Sequence, residues 1–370
     1  MPRVRFLQTS DVHLRADRPE RRRALELVFD AVSAHAADAL IIAGDLFDRS
    51  TDAVGERARV RELVESIAPR PVVLLPGNHD LDAFGSGTDF GANAVVLADV
   101  PYVRASVCGV DVVGLPYQQG RTVTECLTGL TADPLRTALI AHATVTDAIG
   151  AFAGEGEDGA YMPVMVADLF QRFSYAALGH LHSGRNLVRR DRERLVAYAG
   201  SPVATSRREI GPRAVLLVDF EPGAGVAAHQ IVPLGVPYYE RTEVTCTPGG
   251  EAAAIDRLAR QAAALRKPGV RVLARLGGVS TESEAVLREA ATDALARASG
   301  AVAMPEKSDG HPGAVLELAV TSYAALANSP AVAEFVSRLT ACDANGAERD
   351  PRLVEAALRI GLGAFLESLS

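Results

Sequence analysis

The 370-residue chain is long enough to bury a sizeable core and to divide into two or more domains. Hydrophobic residues at 48% and charged residues at 23% are those of an ordinary globular protein, which excludes a disordered chain. A formal net charge of −8 does not by itself announce a nucleic-acid partner, although bound divalent cations can invert the sign of a local site.

The opening stretch MPRVRFLQTSDVHLR holds no apolar run long enough for a signal peptide. No later run approaches the roughly 18 apolar residues of a membrane helix, so a cytoplasmic protein is expected. Cys108, Cys126, Cys246 and Cys342 form neither a CxxC pattern nor a disulfide framework. They read as inert thiols in a reducing compartment.

In chain order, VRFLQTS reads as a strand and RRRALELVFDAVSAHA as a helix, with Ala24, Leu27, Val28, Val32 and Ala36 on one side. ADALIIAG is a second strand, residues 55–68 a second helix, and RPVVLLPG a third strand. Strands alternating with helices at this spacing predict βαβ units and a mostly parallel sheet. The runs VDVVGLP, TALIAHA, FSYAALG, RLVAYAG and AVLLVDF are short and strand-like, and a second sheet packed on the first would use them. The expected architecture is an α/β fold in which a β-sandwich is flanked by helices.

Two prolines in IVPLGVPYYE mark a linker near residue 237. Beyond it the order β-α-β-α-β predicts a small α+β domain, and two helical stretches close the chain. In the second of these, Val354, Leu358, Leu362, Phe365 and Leu369 recur at helical spacing. The expected divisions are residues 1–236, 237–328 and 329–370.

Chemistry-bearing residues gather where the strands end. The first strand leads to Asp11-Val12-His13, the second to Gly44-Asp45-Leu46-Phe47-Asp48, and the third to Gly77-Asn78-His79-Asp80. TALIAHA carries His142, and FSYAALG runs into His180 and His182. The C-terminal edge of an open α/β sheet is where ligands bind. Asp, Asn and His together suit manganese, iron or zinc better than calcium or magnesium alone. Residues two apart in an extended segment face one way, so Asp11 and His13, and likewise His180 and His182, are expected to reach one cluster. Gly44, Gly77 and Gly179 are expected to permit the sharp exit that turns these side chains back over the edge. His35, His229 and His311 stand outside any motif and read as ordinary histidines.

The ordered blocks DxH, GDxxD, GNHD, H and GHxH resemble the calcineurin-like metallophosphoesterase superfamily. That resemblance implies a hydrolase with two divalent metal ions, of which manganese is the expected identity. One ion would take Asp11, His13, Asp45 and His182, and the other Asp45, Asn78, His142 and His180. Metal-bound hydroxide would be the nucleophile, and His79 the acid that protonates the leaving oxygen. Asp48 and Asp80 either steady a ligand from behind or serve as a helix cap and a turn residue.

Within the superfamily, LQTSDVHL, DALIIAGDLFDRS and YAGSPVATSRREIGPRAVLLVDF resemble the SbcD type of DNA-repair nuclease and its YhaO-like relatives. The resemblance implies an exonuclease and endonuclease in double-strand-break repair, a homodimer, and C-terminal helices that dock on an SbcC-like coiled-coil ATPase. It also implies that the small domain caps DNA. Arg185, Arg189 and Arg190 follow GHLH in a basic hairpin that either holds a DNA backbone or is a solvated strand pair. The alternative reading is a phosphodiesterase for cyclic nucleotides or other small substrates, which would not need the last 130 or so residues. A non-catalytic scaffold would be expected to have lost ligands, and all seven are present.

Overall fold

The computed structural model describes residues 2–85, 87–147, 161–182, 188–299 and 314–322, with Glu334 and Arg338. The chain forms two compact units, Met1–Tyr238 and Tyr239–Ser370. The C-terminal helices expected over 329–370 lie outside the described residues, apart from those two positions.

The first unit runs β1 (Val4–Thr9), α1 (Pro19–Ala34), β2 (Ala39–Ala43), α2 (Ala53–Ser66), β3 (Val72–Leu75), β4 (Ala94–Val96), β5 (Val103–Val107) and β6 (Val110–Leu115). It continues through α3 (Val123–Cys126), β7 (Thr137–His142), α4 (Val166–Arg172), β8 (Tyr175–Gly179), β9 (Val188–Asp191), β10 (Arg194–Tyr198), β11 (Ala214–Glu221) and β12 (Gly225–Pro233). One sheet has the order β12-β11-β1-β2-β3-β4 and the other β5-β6-β7-β8-β10-β9. Strands β1 to β4 are mutually parallel, as are β6, β7, β8 and β10.

Alternation along each strand builds three apolar layers. Phe6, Ile41, Val73, Leu216, Val218 and Phe220 meet Val112, Ile140, Tyr175 and Ala197 between the sheets. The neighbours Leu7, Leu40, Leu74 and Leu217 face the other way, onto α1 and α2 residues such as Leu25, Val28 and Val60. Leu139, Ala141, Val196 and Tyr198 face Val123, Cys126 and Leu169 on the far side. The result is a two-sheet sandwich with helices on both outer faces, the α/β architecture expected from the sequence.

The run AVLLVDF differs from expectation. As β11 it joins the first sheet, antiparallel to β1, with Phe220 opposite Val4 and Leu217 opposite Leu7. The edge of the second sheet is already taken by β9, which pairs back on β10 through Arg194 and Asp191. β11 therefore completes the open side of β1, where both of its faces are buried.

A buried amide crosses the sandwich. The Gln8 amide donates to the carbonyls of Leu178 at 3.1 Å and Ala197 at 2.9 Å, and accepts from the Tyr175 hydroxyl at 2.8 Å. A buried amide so satisfied fixes the relative placement of the strands it joins. Here it pins the end of β1 to the ends of β8 and β10, the edge from which the ligand loops emerge.

The second unit runs β13 (Tyr238–Cys246), α5 (Glu251–Leu265), β14 (Val270–Ser280), α6 (Glu284–Ser299) and β15 (Val315–Ser322), with sheet order β13-β14-β15 and β14 parallel to β15. It has its own core, in which Val244, Leu276 and Leu316 from the strands pack on Leu258, Ile255 and Leu287 from the helices. Among the described residues, no helix is long and apolar enough to cross a membrane.

Candidate metal centre

The loops after β1 and β2 run side by side. The amide of Asp11 donates to the Gly44 carbonyl at 3.0 Å, His13 to Asp45 at 3.0 Å and Leu14 to Leu46 at 2.9 Å. Asp11, His13 and Asp45 all hold φ near +50°, and His180 holds φ of 105°. Non-glycine residues avoid this region, at a cost of about 1–3 kcal/mol each, and such strain concentrates at functional sites. The expectation that Asp11 and His13 align by strand alternation is therefore corrected: β1 has ended at Thr9, and two left-handed residues separated by Val12 bring the side chains together.

The reading of the three glycines is corrected in the same way. Only Gly44 needs a positive φ, of 96°. Gly77 and Gly179 are needed for space: a Cβ on Gly77 would lie 2.0 Å from Asp45 Oδ1, and one on Gly179 would lie 1.8 Å from the Ala43 carbonyl.

Three overlapping groups result, each with ligand atoms within 4.8 Å of one another: Asp11, His13 and His182; His13, Asp45 and His79; and Asp11, Asp45 and His142. Asn78 joins through its Oδ1, 3.0 Å from His142 Nε2. His180 is in none of the three groups, but its ring lies 5.4 Å from that of His142 and 4.8 Å from that of Tyr161. The most telling distance is 3.0 Å between His13 Nε2 and His182 Nε2. Two imidazole nitrogens facing each other at that range must share a proton or a cation. Asp45 Oδ2 stands 3.3 Å from His142 Nε2 and 3.8 Å from His13 Nε2, between the two halves of the cluster. This largely buried set of nitrogen and oxygen donors fits a pair of divalent transition-type cations.

Several of the rings are held from behind. His142 Nδ1 faces the Ala43 carbonyl at 3.0 Å, and His79 Nδ1 faces the Asp48 carbonyl at 3.0 Å. Carbonyls only accept, so both Nδ1 atoms carry a proton and both Nε2 atoms turn inward. His13 Nδ1 is 3.6 Å from Asp48 Oδ1, a carboxylate that also takes Arg21 at 2.8 Å. Asp80 accepts from the amides of Phe47 at 3.0 Å and Gly77 at 2.8 Å, which ties the loop after β2 to the loop after β3. The Asp45 carboxylate itself takes the His79 amide at 3.0 Å, and Asp11 takes the His180 amide at 3.0 Å.

His182 has a partner that sequence reasoning missed. Its Nδ1 lies 3.3 Å from Glu209 Oε1 and 3.1 Å from Thr205 Oγ1. The only signal was indirect, since Glu209 belongs to the YAGSPVATSRREIGPR stretch, where it reads as one charge among several.

Electrostatics reflect crowding of like groups out of water. Burial, with the charge of His182, holds His13 well below the ordinary histidine range, and burial lowers His180 to about 3. Burial also opposes charge on His142, yet the Asp45 carboxylate outweighs it and raises His142 to about 10. Asp11 is pushed up by burial, and Asp80 is pushed up to about 7 by burial and the nearby charge of Asp45.

Of the hairpin arginines, Arg185 lies outside the described residues. Arg190 donates to the carbonyls of Arg192, Val226 and Ala227 and meets His229 Nδ1 at 3.2 Å, so most of its donors are engaged within the fold. Arg189 is exposed on β9.

Residues 4–232 match the family described as calcineurin-like phosphoesterase. The chain is 26% identical over 266 residues to the SbcD component of the nuclease SbcCD from Escherichia coli strain K12, covering 60% of this chain and 66% of that one. It is 28% identical over 322 residues to the protein of the same name from Rhodobacter capsulatus, covering 69% of this chain and 76% of that one. The chain thus spans a little under two thirds of the length of the Escherichia coli relative. Among solved structures, TT1561 of Thermus thermophilus is 14% identical with a TM-score of 0.39, covering 63% of this chain and all of that one.

Proposed function

Because the chain belongs to the calcineurin-like phosphoesterase family and is a metal-dependent hydrolase, we propose that it is a manganese-dependent DNA phosphodiesterase, cutting as an exonuclease and endonuclease in double-strand-break repair. The single observation that carries the metal reading is the convergence of His13 Nε2 on His182 Nε2 at 3.0 Å beside Asp11 and Asp45. One ion is assigned to Asp11, His13, Asp45 and His182, and the other to Asp45, Asn78, His142 and His180, with Asp45 shared. Bound there, the ions supply positive charge for the phosphoryl oxygens and lower the pKa of water.

The chain's own residues supply orientation and one proton. Asp45 is held by the His79 amide, and Asp11 by the His180 amide, so both carboxylates are aimed before any ion arrives. Asp48 and Asp80 steady His13 and the two loops from behind. His79, anchored through Nδ1 on the Asp48 carbonyl, presents Nε2; as the imidazolium it gives the Nε2 proton to the leaving oxygen of the ester and is left neutral.

The DNA substrate is supported by the two relatives named as nuclease components and by the exposed Arg189 on the hairpin beside β10. The same relatives support a partner resembling the other component of that nuclease, a coiled-coil ATPase, with docking assigned to the C-terminal stretch 329–370. We assign the α+β unit that begins near residue 237 to capping the DNA, and we expect a homodimer in the cytoplasm.

The test compares linear DNA, bis-p-nitrophenyl phosphate and cyclic AMP as substrates of the purified protein with Mn2+. Degradation of DNA supports the proposal. Turnover of the small diesters alone, unchanged when an SbcC-like ATPase is added, would establish the small-substrate phosphodiesterase instead.

A further inference from the structure

His182 is held through four contacts by the loop that runs from Ser201 to Arg213. Its Nδ1 meets Glu209 Oε1 at 3.3 Å and Thr205 Oγ1 at 3.1 Å, and its carbonyl takes Arg213 Nη1 at 2.6 Å and Ser201 Oγ at 3.2 Å. Glu209 is only 2% exposed and organises that loop. Its Oε2 accepts from Ser201 Oγ at 3.1 Å, the Thr205 amide at 3.1 Å and Arg213 Nη1 at 3.3 Å. Its Oε1 accepts from the Ser206 amide at 3.0 Å and from the Thr205 hydroxyl.

These contacts settle the tautomer. The Thr205 hydroxyl has one proton and gives it to Glu209, so toward His182 it can only accept. Glu209, as a carboxylate, also only accepts. Nδ1 of His182 therefore carries a proton, and Nε2, 3.7 Å from Asp11 Oδ1 and 3.0 Å from His13 Nε2, is the nitrogen that can present a lone pair to a cation. The equivalent acceptors behind His142 and His79 are neutral backbone carbonyls. A carboxylate stands 3.3 Å from His182 Nδ1, closer than the 3.6 Å from His13 Nδ1 to Asp48, and a charged acceptor makes the opposite nitrogen the stronger donor.

We propose that Glu209 is a positioning residue of the metal centre, acting through His182 to set the affinity of one of the two ions and not the other. The proposal rests on the metal-centre reading above, in which His182 serves a single ion. Arg213 and Ser201 also hold the His182 carbonyl, so losing the charge at 209 acts on His182 both directly and through Arg213.

The experiment titrates Mn2+ calorimetrically into the metal-free full chain and into its Glu209→Gln and His182→Ala variants. The wild-type protein should take two ions and His182→Ala one. Glu209→Gln should keep two, with the ion lost in His182→Ala weakened roughly 10–100-fold and the other unchanged. A merely structural role would weaken both ions together, so that outcome overturns the proposal, as do two ions bound with wild-type affinity. A wild-type chain that takes no Mn2+ overturns the metal-centre reading itself. If Glu209→Gln does not fold, Thr205→Val, which keeps the carboxylate but removes the second acceptor on Nδ1 and the hydroxyl that aims Glu209 Oε1, decides: selective weakening of that same ion supports the proposal, and equal or no weakening refutes it.

Discussion

His79 is anchored through one ring nitrogen, and that fixes what the other can do. With Nδ1–H given to the Asp48 carbonyl at 3.0 Å, only Nε2 is available to hand a proton to a leaving oxygen. His79→Ala should lower kcat on DNA by about 10²–10⁴-fold while Mn2+ uptake persists. The loss on bis-p-nitrophenyl phosphate should be much smaller, because p-nitrophenolate leaves without a proton. Equal losses on both substrates would remove His79 from the acid role.

Glu209 carries a second prediction at this scale. Burial works to raise its pKa, but the bond and charge of His182 and the Arg213 guanidinium win and lower it from its ordinary 4.5 to about 2. A folded-state pKa below the unfolded one means that the stabilisation is present above the unfolded value and lost as pH falls through the folded one. In metal-free protein, Glu209 should contribute a slope of about 1.4 kcal/mol per pH unit between those limits. Denaturant midpoints taken at about pH 5 and about pH 3 should therefore converge more in Glu209→Gln than in the wild type. Identical convergence in the two proteins would show that the carboxylate is not paired in solution.

At the level of elements, two glycines separate space from conformational freedom. Gly55, near the start of α2, has no neighbouring atom within 4 Å of an added Cβ and no positive φ. Gly55→Ala should raise stability by about 0.4–1 kcal/mol through the unfolded chain alone. Gly179 ends β8 where an added Cβ would strike the Ala43 carbonyl of β2 in the other sheet, at 1.8 Å. Gly179→Ala should lower stability by about 1–3 kcal/mol or more, since neither backbone can withdraw without moving His142 or His180. Chemical denaturation of both variants checks the pair, and a Gly179→Ala protein as stable as the wild type would mean that the two sheets do not meet so closely.

The same elements show which features could be read from sequence. Asp11, His13, Asp45, Asn78, His79, His142, His180 and His182 were visible because each sits in a short peptide next to a strand end, and period and strand length are local properties. The backbone that aims them was not visible, because alternation predicts extended residues and the loops instead use left-handed ones at 11, 13 and 45. The sheet that receives AVLLVDF was also hidden: its apolar run suits either sheet, and the choice depends on β9 having closed the other edge. Glu209 was hidden for a related reason. Its partner is 27 residues earlier in the chain, and nothing in a polar loop marks which of its charges will be buried.

For the whole molecule, the division near residue 238 makes the strongest prediction. The first unit buries its apolar surface in three clusters drawn from its own strands and helices, and the second packs a separate core. All the candidate ligands, with Glu209 and Arg213, belong to the first unit. A chain ending at Tyr238 should therefore fold cooperatively, take up two Mn2+ ions and hydrolyse bis-p-nitrophenyl phosphate at an undiminished rate. DNA is a different demand, because an extended polyanion gains affinity from each phosphate that meets a cation along its length. If the second unit caps DNA, the shortened chain should degrade linear DNA at least about tenfold more slowly at physiological salt, with the deficit shrinking as salt is lowered and phosphate contacts strengthen. Loss of the small-diester activity would mean that the metal loops depend on the second unit. Undiminished DNA degradation would leave that unit without a role in holding the substrate and move attention to the first unit's own surface, beginning with Arg189.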